Sequence, residues 1–516
     1  MDGNDAWDVL LAADTTGSYE AALLRADRSL AASRPGGDPA ADLGWMLVRI
    51  SSLHLLQRHG EATAEVERMI TAATSPHWRA LGLSWRALVN HFASLGQVEI
   101  ATSGRADSAL DDLARATQLM LASSGATDAR VVASAHNALG NGFWLLRLFE
   151  FAEPHFADAA AVAGQQHQPN LSVKALLNHS MMQLEWANEH KQMNDEAAAL
   201  PRYEVAAGLA RRSHVIAQEH GLHQMQRRGR LFEAAAAVRY APTSSILEEL
   251  TDLARHEWVP TAHLAVLQVA MSHAHLRRGD HEAALRWARE AVALTGDKVG
   301  GPASIQAYEA LASAVPPSQR SADLLSYAFA IARHRWRDRQ QLVSAARASM
   351  DYERVAMQVH ISDQLSRSDP LTGLGNRRAL EQHISAWSSD PAGPRTALIL
   401  VADVDGLKLI NDTHGHAAGD RAITTIADHL QQQCGPEAVI VRWGGDEFVV
   451  VVPDTADAQA EEGLLERLID GVEPERPGSA SMSVGCATGL LSAWETVLKA
   501  ADADMYRRRM KLRRNR

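Results

Sequence analysis

The sequence predicts an α-helical solenoid followed by an α+β domain, and three observations predict it. Up to about Val315 the chain is rich in Ala, Leu, Arg and Glu, with apolar steps of three and four and few strand-like runs. Pro316-Pro317-Ser318 ends that region, because consecutive prolines cannot continue a helix. Beyond Asp369 helical and strand-like runs alternate, which returns successive strands to one sheet. The expected divisions are 1–317 for the helical region, 318–366 for a linker helix and 367–516 for the α+β domain.

Bulk properties bound what the chain can do. A length of 516 residues gives roughly two to four domains and ample core. A formal net charge of -11 offers no general attraction for DNA or anionic lipid, so neither is an expected partner. The charge is uneven, since Arg507, Arg508, Arg509, Lys511, Arg513, Arg514 and Arg516 crowd the C-terminal run. Cys434 and Cys486 are too few for a disulfide framework. The opening Met1-Asp2-Gly3-Asn4-Asp5 is acidic and lacks the basic-then-apolar order of a secretory signal, and no run reaches bilayer length. A cytoplasmic protein is expected, responding to a cytoplasmic stimulus.

Within the helical region two windows repeat a pattern of small and large apolar residues. One is Leu139-Gly140-x-x-Phe143 with Ala152, Phe156 and Ala159; the other is Gly279-Asp280-His281-Glu282-Ala283-Ala284-Leu285 with Ala288, Ala291 and Leu294. Small residues let helices approach while aromatics fill the groove, and the pattern resembles the tetratricopeptide repeat. That resemblance implies a concave face for a protein or peptide partner. His and Trp residues are scattered through the region, for example Trp144, Trp186, Trp258 and Trp287, and are read as packing between helices, because no third ligand joins any pair of them at metal-ligand spacing. His220 and His223 flank Gly221 at an expected helix end and are read as surface. From Ser321 to about Ser366 a long helix follows, with Ala345, Ala348, Tyr352, Val355 and Val359 in alternating steps of three and four. This is the seam of a short parallel coiled coil or one face of a helix packed on the last hairpin of the solenoid.

The stretch that organises the remainder is Arg442-Trp443-Gly444-Gly445-Asp446-Glu447-Phe448, a glycine turn between β-formers that leaves carboxylates where a phosphate could approach. Upstream, Leu398-Ile399-Leu400-Val401-Ala402 reads as a buried strand that presents Asp403-Val404-Asp405 at its carboxyl end. Two carboxylate groups on neighbouring strand ends suit a hard divalent cation and a nucleoside triphosphate. Two further motifs accompany them, Asp369-Pro370-Leu371-Thr372-Gly373-Leu374-Gly375-Asn376-Arg377-Arg378 and His414-Gly415-His416-Ala417-Ala418-Gly419-Asp420. From Asp369 onward the chain resembles the GGDEF family of diguanylate cyclases, which join two GTP molecules into cyclic di-GMP.

The resemblance implies a ferredoxin-like or cyclase-palm fold, with helices near Asn376–Trp387, Asp420–Gln433 and Asp457–Asp470 and a last helix from Ala493. It implies Mg²⁺ or Mn²⁺ held by Asp403, Asp446 and the carbonyl of Val404, with Glu447 beside the ion and Asp446 as the proposed proton acceptor. A metal-bound carboxylate is a poor base, so the ligand role is the firmer of the two. Asn411 and Asp420 match guanine-binding positions, and Asp420 can accept from the N1 and N2 hydrogens that adenine lacks. His416 matches another substrate contact, Gly444 and Gly445 line the turn, and Lys408 and Arg509 match phosphate contacts, with Arg513 or Arg514 next in the tail. Gly435-Pro436-Glu437-Ala438 replaces the Arg-x-x-Asp segment through which many members are inhibited by product, so that inhibition is expected to be absent. One GTP per domain implies a homodimer, regulated through the helical repeats. The alternatives are a catalytically idle GTP-sensing scaffold and a mixed-dinucleotide cyclase.

Overall fold

The computed structural model describes residues 3–33, 39–95, 103–122, 128–241, 243–255, 261–295, 302–316, 322–388, 395–454, 463–468 and 481–514. The chain divides into two compact units, Met1–Arg354 and Val355–Arg516. Among the described residues no helix is long and apolar enough to cross a membrane.

The first unit is helical. Helices α1–α15 run from Gly3–Thr16 to Pro302–Ala314, and successive helices pack mainly on their sequence neighbours. The packing logic is clearest between α7 (Ala129–Leu145) and α8 (Phe149–Gln165), where Leu139, Phe143, Ala152, Phe156 and Ala159 are all buried. A Cβ on Gly140 would lie 2.7 Å from the Phe156 ring, so the absence of a side chain there is what lets the aromatic fill the groove. Between α13 (Thr261–Arg277) and α14 (His281–Thr295) the backbone turns at Gly279 with φ +77°. Trp186 is buried, Trp144 and Trp287 are packed at the core margin, and Trp258 lies outside the described residues. His220 and His223 are exposed at a helix junction whose Gly221 has φ +68°.

Helix α16 spans Ala322–Arg367 without interruption. Its packed stripe is not the expected seam. Arg339, Val343 and Ala346 are buried in the core of the first unit, with Leu342 and Met350 against it. Their contacts reach Arg147 and Glu150 at the α7–α8 turn rather than the last hairpin of the region. Ala345, Ala348, Tyr352, Val355 and Val359 are exposed. Charge decided the face: a buried guanidinium needs carboxylates, and only the Arg339 stripe finds them.

The second unit is built on a five-stranded mixed sheet of order β1-β3-β4-β2-β5. The strands are β1 (Gly375–Asn376), β2 (Thr396–Val404), β3 (Val439–Arg442), β4 (Glu447–Pro453) and β5 (Met482–Leu490). Only β1 with β3 is parallel. The helices are α17 (Arg377–Ser388), α18 (Leu407–His414), α19 (His416–Cys434), α20 (described over 463–468) and α21 (Trp494–Arg514). Strand β2 is buried on both faces, which is why it reads as an unbroken apolar run. On one face Leu398, Leu400 and Ala402 meet Ile423, Ile426 and Leu430 of α19 with Leu464 and Leu468. On the other, Ile399 and Val449 meet Leu380 and Ile384 of α17, and Val401 meets Ala501 and Met505 of α21.

Two boundaries differ from the sequence reading. Helix starts before Asp420, and a separate helix α18 precedes it, because Gly406 and Gly415 turn the backbone at φ +68° and +81°. The helix expected over Asp457–Asp470 falls largely outside the described residues. Strand β5 and helix α21 touch closely enough that a Cβ on Gly485 would lie 2.0 Å from the Met505 backbone nitrogen and 2.5 Å from the Ala501 carbonyl oxygen. Neither backbone atom can move aside independently. Gly485→Ala is expected to destabilise this unit by about 3 kcal/mol. A lowered midpoint in chemical unfolding measures it.

Candidate functional site

The site forms where β2 and β4 end side by side. Their register pairs Asp403 with Glu447, and the Val404 amide donates to the Asp446 carbonyl at 2.9 Å, so the two acidic segments are fixed to each other through the backbone. The Trp443 amide donates to the Glu447 carbonyl at 2.8 Å and closes the turn that holds Gly444 and Gly445. Neither glycine takes a left-handed φ, which corrects the steric reason given for them from sequence. A Cβ at Gly445 would meet nothing within 4 Å, and one at Gly444 would meet the Glu447 carboxylate at 3.3 Å, so the turn stands open to its surroundings.

A strut stiffens the turn. The Arg442 guanidinium donates to the Gly445 carbonyl at 2.7 Å and pairs with Asp369 at 3.1 Å. Asp369 also accepts from the amide and hydroxyl of Thr372, and these bonds, with Arg442, hold its carboxyl below the ordinary range despite partial burial. The first motif thus supports the Gly-Gly turn from 73 residues away in the chain. Spacing alone carries no signal for that link.

The carboxylates crowd one another. Asp403 is pushed up by burial and by Asp446 and Asp405, with the Arg509 guanidinium pulling the other way. Glu447 is pushed up by burial, then by Asp446, Asp403 and Asp502. Arg509 donates to Asp403 at 2.9 Å and lies 3.4 Å from Asp405. Asp405, which the sequence reading did not single out, also accepts from the hydroxyls of Ser481 at 3.1 Å and Ser483 at 2.7 Å. An all-oxygen set held in repulsion suits a hard divalent ion.

Beside this cluster, α18 carries Lys408 and Asn411 while α19 carries His416 and Asp420. Lys408, His416 and Asp420 are exposed, and Asn411 is half-buried with an Oδ1 that has no hydrogen-bond partner. A Cβ on Gly419 would overlap that oxygen at 2.0 Å, so Gly419 is what lets Asn411 sit against the start of α19, next to Asp420. Of the basic tail, Arg507 and Arg508 pair with Asp504, and the side chains of Arg513 and Arg514 lie outside the described residues.

Comparison with known proteins places these features in a wider set. Residues 366–515 match the family described as diguanylate cyclase, GGDEF domain. Diguanylate cyclase DgcP of Pseudomonas aeruginosa is 36% identical over 172 residues, covering 31% of this chain and 25% of that protein. An uncharacterized 19.3 kDa protein of Streptomyces ambofaciens is 37% identical over 157 residues, covering 29% of this chain and 81% of that protein. Among solved structures, the coiled coil and GGDEF domain of DgcB from Caulobacter crescentus in complex with c-di-GMP shares 26% identity, covers 31% of this chain and 90% of that one, and has a TM-score of 0.28. The chain spans about a quarter or less of the length of several curated relatives it matches.

Proposed function

The chain belongs to the GGDEF family, and from that premise we propose that residues 366–515 condense two GTP molecules into cyclic di-GMP and two pyrophosphates. The observation that carries this is the meeting of Asp403, Asp446 and Glu447 at adjoining strand ends, beside an open Gly-Gly turn and a guanidinium. In each half-reaction a 3′-hydroxyl attacks the α-phosphorus of the other nucleotide, a phosphodiester forms, and the bond to pyrophosphate breaks. The demand on the protein is alignment and charge neutralisation.

Asp403, Asp446 and the Val404 carbonyl would hold Mg²⁺ or Mn²⁺, which supplies charge neutralisation at the triphosphate. Arg509, now spent on Asp403 and Asp405, would turn toward the phosphates once their charge is taken up, and Lys408 would join it. Asn411 offers an unpaired oxygen and Asp420 a free carboxylate face to guanine, with His416 one turn before Asp420 on the same side of α19. Each domain would carry one nucleotide, so the active species is a homodimer, and the exposed seam of α16 supports self-association. We read the first unit as a tetratricopeptide-like solenoid that regulates the catalytic unit through a protein or peptide partner, on the strength of the α7–α8 packing.

Product chromatography after incubation with GTP, and with GTP plus ATP, tests the assignment. Cyclic di-GMP alone supports it; a mixed product, or none, overturns it. The same geometry sets a pH dependence. Asp403 and Glu447 both hold protons to higher pH than ordinary carboxylates, so their charging opposes folding as pH rises, and a bound cation relieves that cost. Mg²⁺ is therefore expected to raise the thermal midpoint at neutral pH and to lose that effect as the pH falls toward the carboxylate range, earlier than it would for carboxylates of ordinary pKa. Thermal scans with and without Mg²⁺ across that range read it directly.

A further inference from the structure

Sequence spacing joins no third ligand to any imidazole pair, yet the helical unit assembles one. His136 on α7 faces His155 on α8 with their Nδ1 atoms 3.1 Å apart, and an Asp158 oxygen lies 3.9 Å from the His136 Nδ1. One ligand atom from each lies within 4.8 Å of the others. Two ligands about 2.1 Å from a tetrahedral zinc ion stand about 3.4 Å apart, and the two shorter separations bracket that value.

The hydrogen-bond chain behind the pair fixes which nitrogen is bare. Thr117, on α6 (Ser103–Ala122), gives its only hydroxyl hydrogen to the Leu113 carbonyl at 2.8 Å. It can then only accept from His155 Nε2, 3.4 Å away. His155 therefore carries its hydrogen on Nε2 and points the Nδ1 lone pair at His136. Phe143 stacks parallel to the His155 ring at 5.7 Å and stops it from turning away. A ligand imidazole whose far N–H is held by a neighbouring oxygen is the arrangement that metal sites use to orient histidine. Access exists as well, because His155 is buried while the Asp158 side chain is 60% exposed and can swing in from solvent.

We propose that His136, His155 and Asp158 form a zinc site in the helical unit, with water in the fourth position. Two imidazoles and a carboxylate favour Zn²⁺ over Mg²⁺, which separates this site from the all-oxygen set of the second unit.

The test is calorimetric titration of the full-length, chelator-stripped protein with Zn²⁺ in excess Mg²⁺, so that the carboxylate cluster is already supplied. One equivalent is expected to bind, and Co²⁺ in its place is expected to show the visible bands of tetrahedral coordination. Asp158→Asn removes an exposed ligand with little risk to folding and should weaken Zn²⁺ at least about tenfold. Thr117→Val keeps the shape, touches no ion, and should weaken it about 10- to 100-fold. Circular dichroism confirms that both variants are folded. Failure of the parent protein to take up Zn²⁺, or identical isotherms for the parent and both folded variants, overturns the site.

Discussion

Asp446→Asn should abolish cyclic di-GMP formation from GTP and Mg²⁺. The substitution keeps the shape of the side chain and leaves the Asp446 carbonyl free to accept from Val404, so the fold has no reason to change. It removes one of the negative charges that raise Asp403 and Glu447, and with it a ligand that an incoming cation needs. A loss of about a thousandfold in rate corresponds to about 4 kcal/mol of transition-state stabilisation, within the range a catalytic metal supplies. Product chromatography against the parent protein measures it, with a thermal scan as the folding control. Turnover within tenfold of the parent sinks the metal-ligand assignment, whereas no product from the parent itself points to an idle domain.

Arg339→Met should destabilise the helical unit by about 2–3 kcal/mol, the cost of leaving buried hydrogen-bonding groups without the guanidinium that serves them. The Arg339 side chain is fully buried, donates to the Arg147 carbonyl at 2.9 Å and to Glu150 at 2.6 Å, and lies 3.7 Å from Glu189. Phe149 and Trp336 rings flank its guanidinium, each 5.1 Å away. Methionine fills most of the volume but leaves the Arg147 carbonyl without its donor and takes a cation from the nearly buried Glu189, while the exposed Glu150 turns to water. Removing an exposed partner such as Arg354, which pairs with Asp351 at 2.9 Å, should cost less than about 1 kcal/mol. Denaturant unfolding followed by tryptophan fluorescence compares the two. Equal small effects overturn the account of the buried cluster.

The sequence revealed this molecule unevenly, for physical reasons. Strand β2 was legible because burial on both faces demands an apolar run, and the acidic residues after it stood out against that run. Helix α18 was not, because it is only eight residues long, is bracketed by the left-handed Gly406 and Gly415, and packs Leu407 and Ile410 against the core without fully burying them. The Asp369–Arg442 strut, the serine hydroxyls on Asp405 and the His136–His155–Asp158 group join residues that only folding brings together. The packed stripe of α16 was hidden because its key member is an arginine, which a hydrophobic periodicity search counts as solvent-facing. The two turn glycines lie in the expected turn, but neither needs the left-handed backbone that only glycine takes freely.

Helix α21 bears on the basic C-terminal run. Asp504 accepts from Arg507 and Arg508 while also receiving the Cys486 amide of β5 at 3.3 Å, and Arg509 turns inward to Asp403. Three consecutive cations are thus matched by counterions from the protein itself. Part of the polyelectrolyte that a letter count suggests is therefore spent inside the protein, and Arg507, Arg508 and Arg509 would meet a nucleic acid strand with less free charge than the sequence advertises.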